Sequence, residues 1–249
     1  MKRFDAHNHL QLDDHPVDEL ISHGIVSAVC STVESDWNSV LALRTQHPNH
    51  IVAGLGIHPW WADHTENGWA TRLEKKLIEH PYCFVGEAGF DGYRASRARG
   101  VVLETQRQVL LPQLHLAKKY SRPIMLHCVK AWEHLAPYLR EERPAHFAIH
   151  RFKGTSAMVQ EIMDMDGYLS IHLDSLFHAP TVEAIRNAPL HRLLLETDYD
   201  GPRVGSQPIA NDLAQVADEL AKLMGKNSEW IVQQCNENAC KFYGLDSIN

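Results

Sequence analysis

The 249-residue chain has no CxxC pair, no long apolar run and no glycine-rich turn after its first apolar segment. Its five cysteines, Cys30, Cys83, Cys128, Cys235 and Cys240, are odd in number, which argues against a disulfide framework and for free thiols in a reducing cytosol. No segment approaches the ~18 consecutive apolar residues of a membrane span. The first residues lack the apolar core of a signal peptide, so a cytoplasmic protein without a membrane anchor is expected. The formal net charge of −7 excludes a generally basic coat for nucleic acid, while leaving room for a local basic patch. Internal repeats, low-complexity stretches and linkers of biased composition are absent too.

What is present is a periodic order. Short apolar runs recur as RFDAHNHL (3–10), VSAVCST (26–32), IVAGLGIHP (51–59), CFVGEAG (83–89), PIMLHC (123–128), HFAIHRF (146–152), GYLSIHL (167–173) and RLLLETD (192–198). Most are apolar on both faces, as strands buried between a barrel interior and a helical layer must be. Amphipathic stretches separate them, among them VDELISHG behind Pro16, LETQRQVLLPQLHLAKKYS, and the closing pair ANDLAQVADELAKLMG and SEWIVQQCNENACKFYG. Alternating strands and helices over ~250 residues predict an α/β fold, a TIM-like (β/α)8 barrel forming one domain over 1–249. The open doubly wound sheet is the alternative, but it favours a glycine-rich first turn where this chain has HLQLDDH. Pro112, inside a helical pattern, is expected to kink or split its helix.

The first run contains HNH, residues 7–9. Alternation in a strand would put Asp5, His7 and His9 on one face and Phe4, Ala6, Asn8 and Leu10 on the other. Two imidazoles on one face can hold a metal ion or can merely end a strand. The other runs weigh in favour of metal. One run ends in Glu87, another in His127, another in His150 and the last in Asp198. In a barrel these strand ends converge at the C-terminal mouth. Unpaired carboxylates and imidazoles gathered there would be costly, although a single one could be explained by an arginine partner. Four histidines and two carboxylates exceed what one tetrahedral ion needs and suit two divalent ions with Glu87 between them. Mixed imidazole and carboxylate ligands do not choose among zinc, manganese or iron. Cys128, next to His127, reads as a structural thiol.

FDAHNHL, GIHPWW, VGEAGFD, PIMLHC, AIHRFKG, LSI and LLLETD, followed by NENACKFYG, resemble in order the motifs of the TatD family of metal-dependent deoxyribonucleases and hydrolases. The resemblance spans nearly the whole chain. It implies an amidohydrolase-like barrel with one metal on His7, His9, Glu87 and Asp198 and another on Glu87, His127 and His150. Zinc, manganese or magnesium would serve, and the substrate would be single-stranded DNA or another phosphodiester, cut in the 3′–5′ exonuclease manner. Asp198 and Glu87 are then the expected catalytic residues, with Asp198 taking the proton of the attacking water, and His58 lies near the substrate. The loops depart from the family: CVKAW stands where Ser-Arg-Asp-Ala usually follows the histidine, HRFKG replaces His-Cys-Phe-Ser-Gly, and YDGP follows Glu-Thr-Asp.

Those loops are basic. Arg94, Arg97 and Arg99 follow Glu87, Lys130 follows His127, Arg151 and Lys153 follow His150, and Arg203 follows Asp198. A cationic rim on an acidic body would steer phosphates, with Arg94, Lys130, Arg151 and Arg203 as substrate-binding candidates. Ordinary solvated loops, or partners for Asp91 and Asp200, are the plainer explanation. Two other functions are weighed: a related barrel opening a cyclic amide or lactone, and a non-catalytic metal-binding barrel.

Overall fold

The structure, a computed structural model, describes residues 2–13, 17–98, 100–201 and 209–248. Among these residues eight strands follow one another around a parallel sheet: β1 Arg3–Asn8, β2 Ile25–Cys30, β3 Ile51–Leu55, β4 Phe84–Asp91, β5 Ile124–Val129, β6 Phe147–Ile149, β7 Tyr168–Ile171 and β8 Leu193–Leu195. Each pairs in parallel with its neighbour in sequence. β1 and β8 also lie together, so the sheet curls into a nearly closed barrel. Two backbone bonds seal the seam at the mouth: Asp198 N–H donates to His7 O at 3.0 Å and His9 N–H to Tyr199 O at 2.6 Å. Barrel closure removes the sheet edges and puts the strands' C-terminal ends in a ring.

The strand residues are sorted by alternation. Phe4, Val26, Ala28, Cys30, Val52, Phe84, Met125, Ala148, Tyr168 and Leu194 form one core with Phe242 and Tyr243 of the C-terminal helix Ser228–Tyr243. Ile25, Val29, Ile51, Val85, Ile124, Leu126, Ile149, Leu169 and Leu193 belong to a second, larger core shared with the surrounding helices. The C-terminal helix is tied to β1 by polar bonds as well. Asn236 accepts from Phe4 N–H at 2.9 Å and donates to Lys2 O at 3.0 Å, and Tyr243 Oη donates to Ala6 O at 2.6 Å.

Two expectations change. Pro112 does not split its helix, which runs unbroken over Leu103–Lys119. Strict alternation in β1 fails because its register against β2 shifts between Asp5 and Asn8. Asp5 therefore joins Asn8, whose Nδ2 donates to Asp5 Oδ2 at 2.9 Å, and leaves the histidine pair. It instead accepts from Thr197 N–H at 2.9 Å and Thr197 Oγ1 at 2.6 Å, which fixes the backbone just before Asp198. Among the described residues no helix is long and apolar enough to cross a membrane.

Candidate metal centre

Glu87 sits within β4, is 1% exposed, and divides its two oxygens between two histidine groups. Oε2 lies 3.2 Å from His7 Nε2 and 3.2 Å from His9 Nε2. Oε1 lies 2.8 Å from His127 Nδ1, 3.1 Å from His150 Nε2 and 3.4 Å from His58 Nε2. Asp198 joins the first group, with Oδ1 3.5 Å from His7 Nε2 and 3.8 Å from His9 Nε2. The backbone is shaped for this crowding. A side chain at Gly89 would put its Cβ 2.0 Å from His127 O, so only glycine lets β4 and β5 approach closely there. Asp198 holds a left-handed φ of 50°, a conformation that aspartate tolerates better than most residues.

The far nitrogen of each of four rings faces a partner of its own. His9 Nδ1 is 2.8 Å from Cys30 O, His7 Nδ1 is 3.2 Å from Cys30 Sγ, and His127 Nε2 is 3.1 Å from Asp91 Oδ2. His150 Nδ1 stands 3.3 Å from Glu196 Oε1, without the alignment of a hydrogen bond. Acceptors on the outer nitrogens of His9, His127 and His150 favour N–H there and leave lone pairs pointing inward, while the Cys30 thiol beside His7 can serve either tautomer. Those lone pairs face one another: His7 Nε2 and His9 Nε2 are 3.3 Å apart, as are His127 Nδ1 and His150 Nε2. Facing lone pairs beside carboxylates repel unless a cation lies between them, and this donor set fits divalent metal. Among the described residues three overlapping groups lie close enough to share an ion: His7, His9 and Asp198; His7, Glu87 and His150; and Glu87 and His127 with His58, whose own proton is considered below.

Without metal, protons do the neutralising. Burial favours neutral rings, yet Glu87, Glu196 and Asp198 outweigh it at His150 and hold its pKa well above the ordinary value. His9 and His127 are raised in the same way, against burial, chiefly by Glu87 and, for His127, Asp91. At His7 burial prevails, with help from His150, and the pKa falls. Burial resists ionisation of Glu87, but His150, His58 and His7 pull it well below the usual carboxylate range. The same contest at Asp198 is won by His150, His7 and His9, at about 2.

His58 differs from the other rings. Its Nδ1 accepts from Trp60 N–H at 3.1 Å, so the proton of the neutral ring sits on Nε2. Burial drives its pKa down to about 4, so the ring is neutral near pH 7. Nε2 is then an N–H donor aimed into the centre, not a lone pair.

The basic loops do not form one uniform rim. Arg151 donates from Nη1 to Asp198 Oδ2 at 2.7 Å, and its Nε and Nη2 reach Asp174 Oδ2 at 3.1 and 2.9 Å. Lys153 Nζ also donates to Asp174 Oδ2, at 2.7 Å. These two cations are spent on internal carboxylates, and Arg151 braces Asp198 instead of standing free for phosphate. Arg94 and Lys130 lie over aromatic rings instead. Arg99 and Arg203 fall outside the described residues. Reasoning from strand ends overlooked Glu196, Asp91 and Asp174 as partners of the centre. Glu196 lies two residues before Asp198 in LLLETD, and that spacing was the available signal.

Comparison with known proteins agrees with the geometry. A family profile described as TatD related DNase matches residues 4–244. An uncharacterized metal-dependent hydrolase TatD of Mycobacterium tuberculosis is 28% identical over 260 residues, covering 97% of each chain. The 3'-5' ssDNA/RNA exonuclease TatD of Pantoea ananatis is 29% identical over 216 residues, covering 82% of each. The crystal structure of the TatD homolog YjjV from Escherichia coli superposes with a TM-score of 0.85 at 24% identity, over 98% of both chains, and shows the same fold. The chain belongs to the TatD related DNase family of metal-dependent hydrolases.

Proposed function

We propose that residues 1–249 act as one phosphodiesterase domain that uses two divalent ions, zinc, manganese or magnesium, to shorten single-stranded DNA from an end, in the 3′–5′ manner. The observation that carries this reading is the division of Glu87 between His7 and His9 on one side and His127 and His150 on the other. His7, His9, Asp198 and Glu87 Oε2 would hold one ion, and Glu87 Oε1, His127 and His150 the other. When bound, such ions supply Lewis acidity and neutralise charge on the reacting phosphodiester.

The chain's own groups do the rest. Asp198, ionised at neutral pH, takes the proton of the attacking water, while Arg151 and Asp174 fix the rotation of its carboxylate. His58, neutral, donates a hydrogen bond from Nε2–H to an oxygen of the phosphodiester and keeps the proton, which its tautomer allows and metal ligation would not. Asp91, Glu196 and the Cys30 carbonyl hold the rings in place. A glutamate at the bridge, together with a relative named as a 3'-5' exonuclease, favours phosphodiester over cyclic-amide or lactone chemistry. Five free thiols suit a reducing cytoplasm.

The test uses protein stripped by chelator and reloaded with one metal at a time. Stepwise shortening of an end-labelled single-stranded oligonucleotide, lost with chelator and restored by metal, is the expected result. Loaded protein that leaves DNA and RNA oligonucleotides intact yet opens a dihydropyrimidine or a lactone overturns the reading.

A further inference from the structure

Two large aromatic side chains are exposed beside the centre: Trp60 at 40% and Tyr93 at 45%. Trp60 follows the His58-Pro59 turn at the end of β3, and Tyr93 lies in the short helical turn Gly92–Ala95 after β4. Neither ring is placed loosely. Trp60 Nε1 donates to Asp91 Oδ2 at 2.6 Å, the oxygen that also faces His127 Nε2. The Trp60 ring centre is thereby held 6.2 Å from that of His127 and 5.1 Å from that of His58.

Cations cover these rings. The Arg94 guanidinium carbon lies 4.8 Å from the Trp60 ring centre, that of Arg97 lies 4.5 Å from Tyr93, and Lys130 Nζ lies 5.1 Å from Tyr93. Among the described residues none of the three has a carboxylate within ion-pair distance, in contrast to Arg151 and Lys153 across the mouth. The loops bearing them are packed together on purpose-built backbone. A Cβ at Gly92 would come 2.3 Å from Lys130 O, and Lys130 itself has a left-handed φ of 48°. Glycine at 92 thus allows the Tyr93 turn and the Lys130 loop to touch.

We infer that Trp60 and Tyr93, with Arg94, Arg97 and Lys130, form a subsite that stacks unpaired nucleobases and pairs with the phosphates between them, on the β3–β5 side of the centre. The chemistry is specific to single strands. Every base offers a flat face that stacks on an aromatic ring, but in a duplex that face is already occupied. Arg97 also donates from Nη2 to Tyr93 Oη, but an exposed hydrogen bond and a cation resting on an exposed ring are both weak, so these cations can turn to a phosphate when a base takes their place. The asymmetry of the mouth sets the direction: unpaired cations lie on the aromatic side, and internally paired cations lie beside Asp198. The inference rests on the phosphodiesterase reading of the adjoining centre, since it takes the nucleotides next to the cut bond as its ligand.

The experiment separates the two. Phosphorothioate-linked oligothymidylate and the same backbone with every base replaced by tetrahydrofuran are fluorescently labelled, and Kd is read by anisotropy on metal-loaded protein. Wild type is expected to bind the base-bearing strand roughly tenfold more tightly. Trp60→Leu and, independently, the exposed Tyr93→Leu are each expected to bring that ratio below about threefold. Trp60→Phe, which keeps a ring but cannot reach Asp91, is expected to restore it. A wild-type protein indifferent to the bases, or leucine variants that keep the wild-type ratio, overturns the subsite. Cleavage of ordinary oligonucleotide is scored separately. Base-dependent binding without cleavage sinks the hydrolase reading and leaves the subsite, while cleavage with base-independent binding does the reverse.

Discussion

Arg151 donates to Asp198 Oδ2 at 2.7 Å and is held in that position by Asp174, which also takes Lys153 and His172. Burial resists ionisation of Asp174, but His172, Arg151 and Lys153 outweigh it and keep its carboxyl far below the usual range. A fixed guanidinium thus stands against one oxygen of a carboxylate whose other oxygen faces His7 and His9. It orients Asp198, and it also places positive charge beside a site built for cations.

Arg151→Gln is expected to strengthen metal binding at the His7/His9/Asp198 group by about three- to tenfold, because a nearby like charge is removed. At the same time kcat should fall, since the carboxylate is no longer held in one rotation. Competition against a metal-sensitive dye gives the first quantity and initial rates the second. Weaker metal binding in the variant would mean that Arg151 acts mainly as a brace for the ligand.

Glu87→Gln is expected to weaken both ions together, on the order of tenfold or more each, because a neutral amide replaces the charged group between the two histidine sets. Elemental analysis after dialysis at limiting metal checks this. Loss of a single equivalent would place Glu87 in one site only.

The pH dependence follows from signs. Asp5 is raised from 3.8 to about 7, by burial first, against hydrogen bonds from Thr197 and Asn8. Its contribution to stability is complete below the unfolded value and is lost as pH rises through about 7. His9, His127 and His150, also raised, lose theirs in the same direction. Asp198 and Glu87, both lowered, act oppositely and lose theirs only in acid. Above about pH 6.5, where the lowered His7 and His58 no longer oppose it, Tm of the metal-free protein is therefore expected to fall as pH rises toward about 8, through His9, His127 and His150 and, up to about 7, through Asp5. Loaded protein should gain stability over the same window, because ligand histidines must shed their protons. Parallel melting curves with and without chelator test both slopes. A metal-free Tm that rises across neutrality would mean that His9, His127 and His150 are not held protonated in the metal-free fold.

Strand ends were legible because burial makes most strand residues apolar, and most of the ionisable ones stand toward the opening of the barrel. That logic marked His7, His9, Glu87, His127, His150 and Asp198 from spacing alone. It could not place Asp5, because a register shift is a property of two paired strands, and β1 alone carries no sign of it. It could not see that Arg151 is bound to Asp198, since 47 residues separate the partners. The basic loops were read as one rim from their order in the chain. Which cations are paired depends on Asp174, in a different loop, and on the rings of Trp60 and Tyr93.

Asp91 offers a way to separate the two proposed ions. Its Oδ2 faces His127 Nε2 at 3.1 Å and accepts from Trp60 Nε1 at 2.6 Å, while Oδ1 accepts from Arg94 N–H at 2.7 Å. Burial resists its ionisation, yet these donors bring its pKa to about 2, so it is a carboxylate under all ordinary conditions. That charge keeps the proton on His127 Nε2 and the lone pair on Nδ1, toward Glu87. Asp91→Ala is expected to weaken the ion at Glu87, His127 and His150 by about 10- to 100-fold, the usual effect of removing a carboxylate behind a ligand histidine. The His7/His9/Asp198 group has no contact with Asp91 and should keep its affinity. Metal titration followed by calorimetry should then resolve one tight and one weak step, where wild type shows two tight ones. Equal weakening of both steps would mean that the two groups fold or bind as one unit, and no change in either would mean that His127 does not ligate through Nδ1.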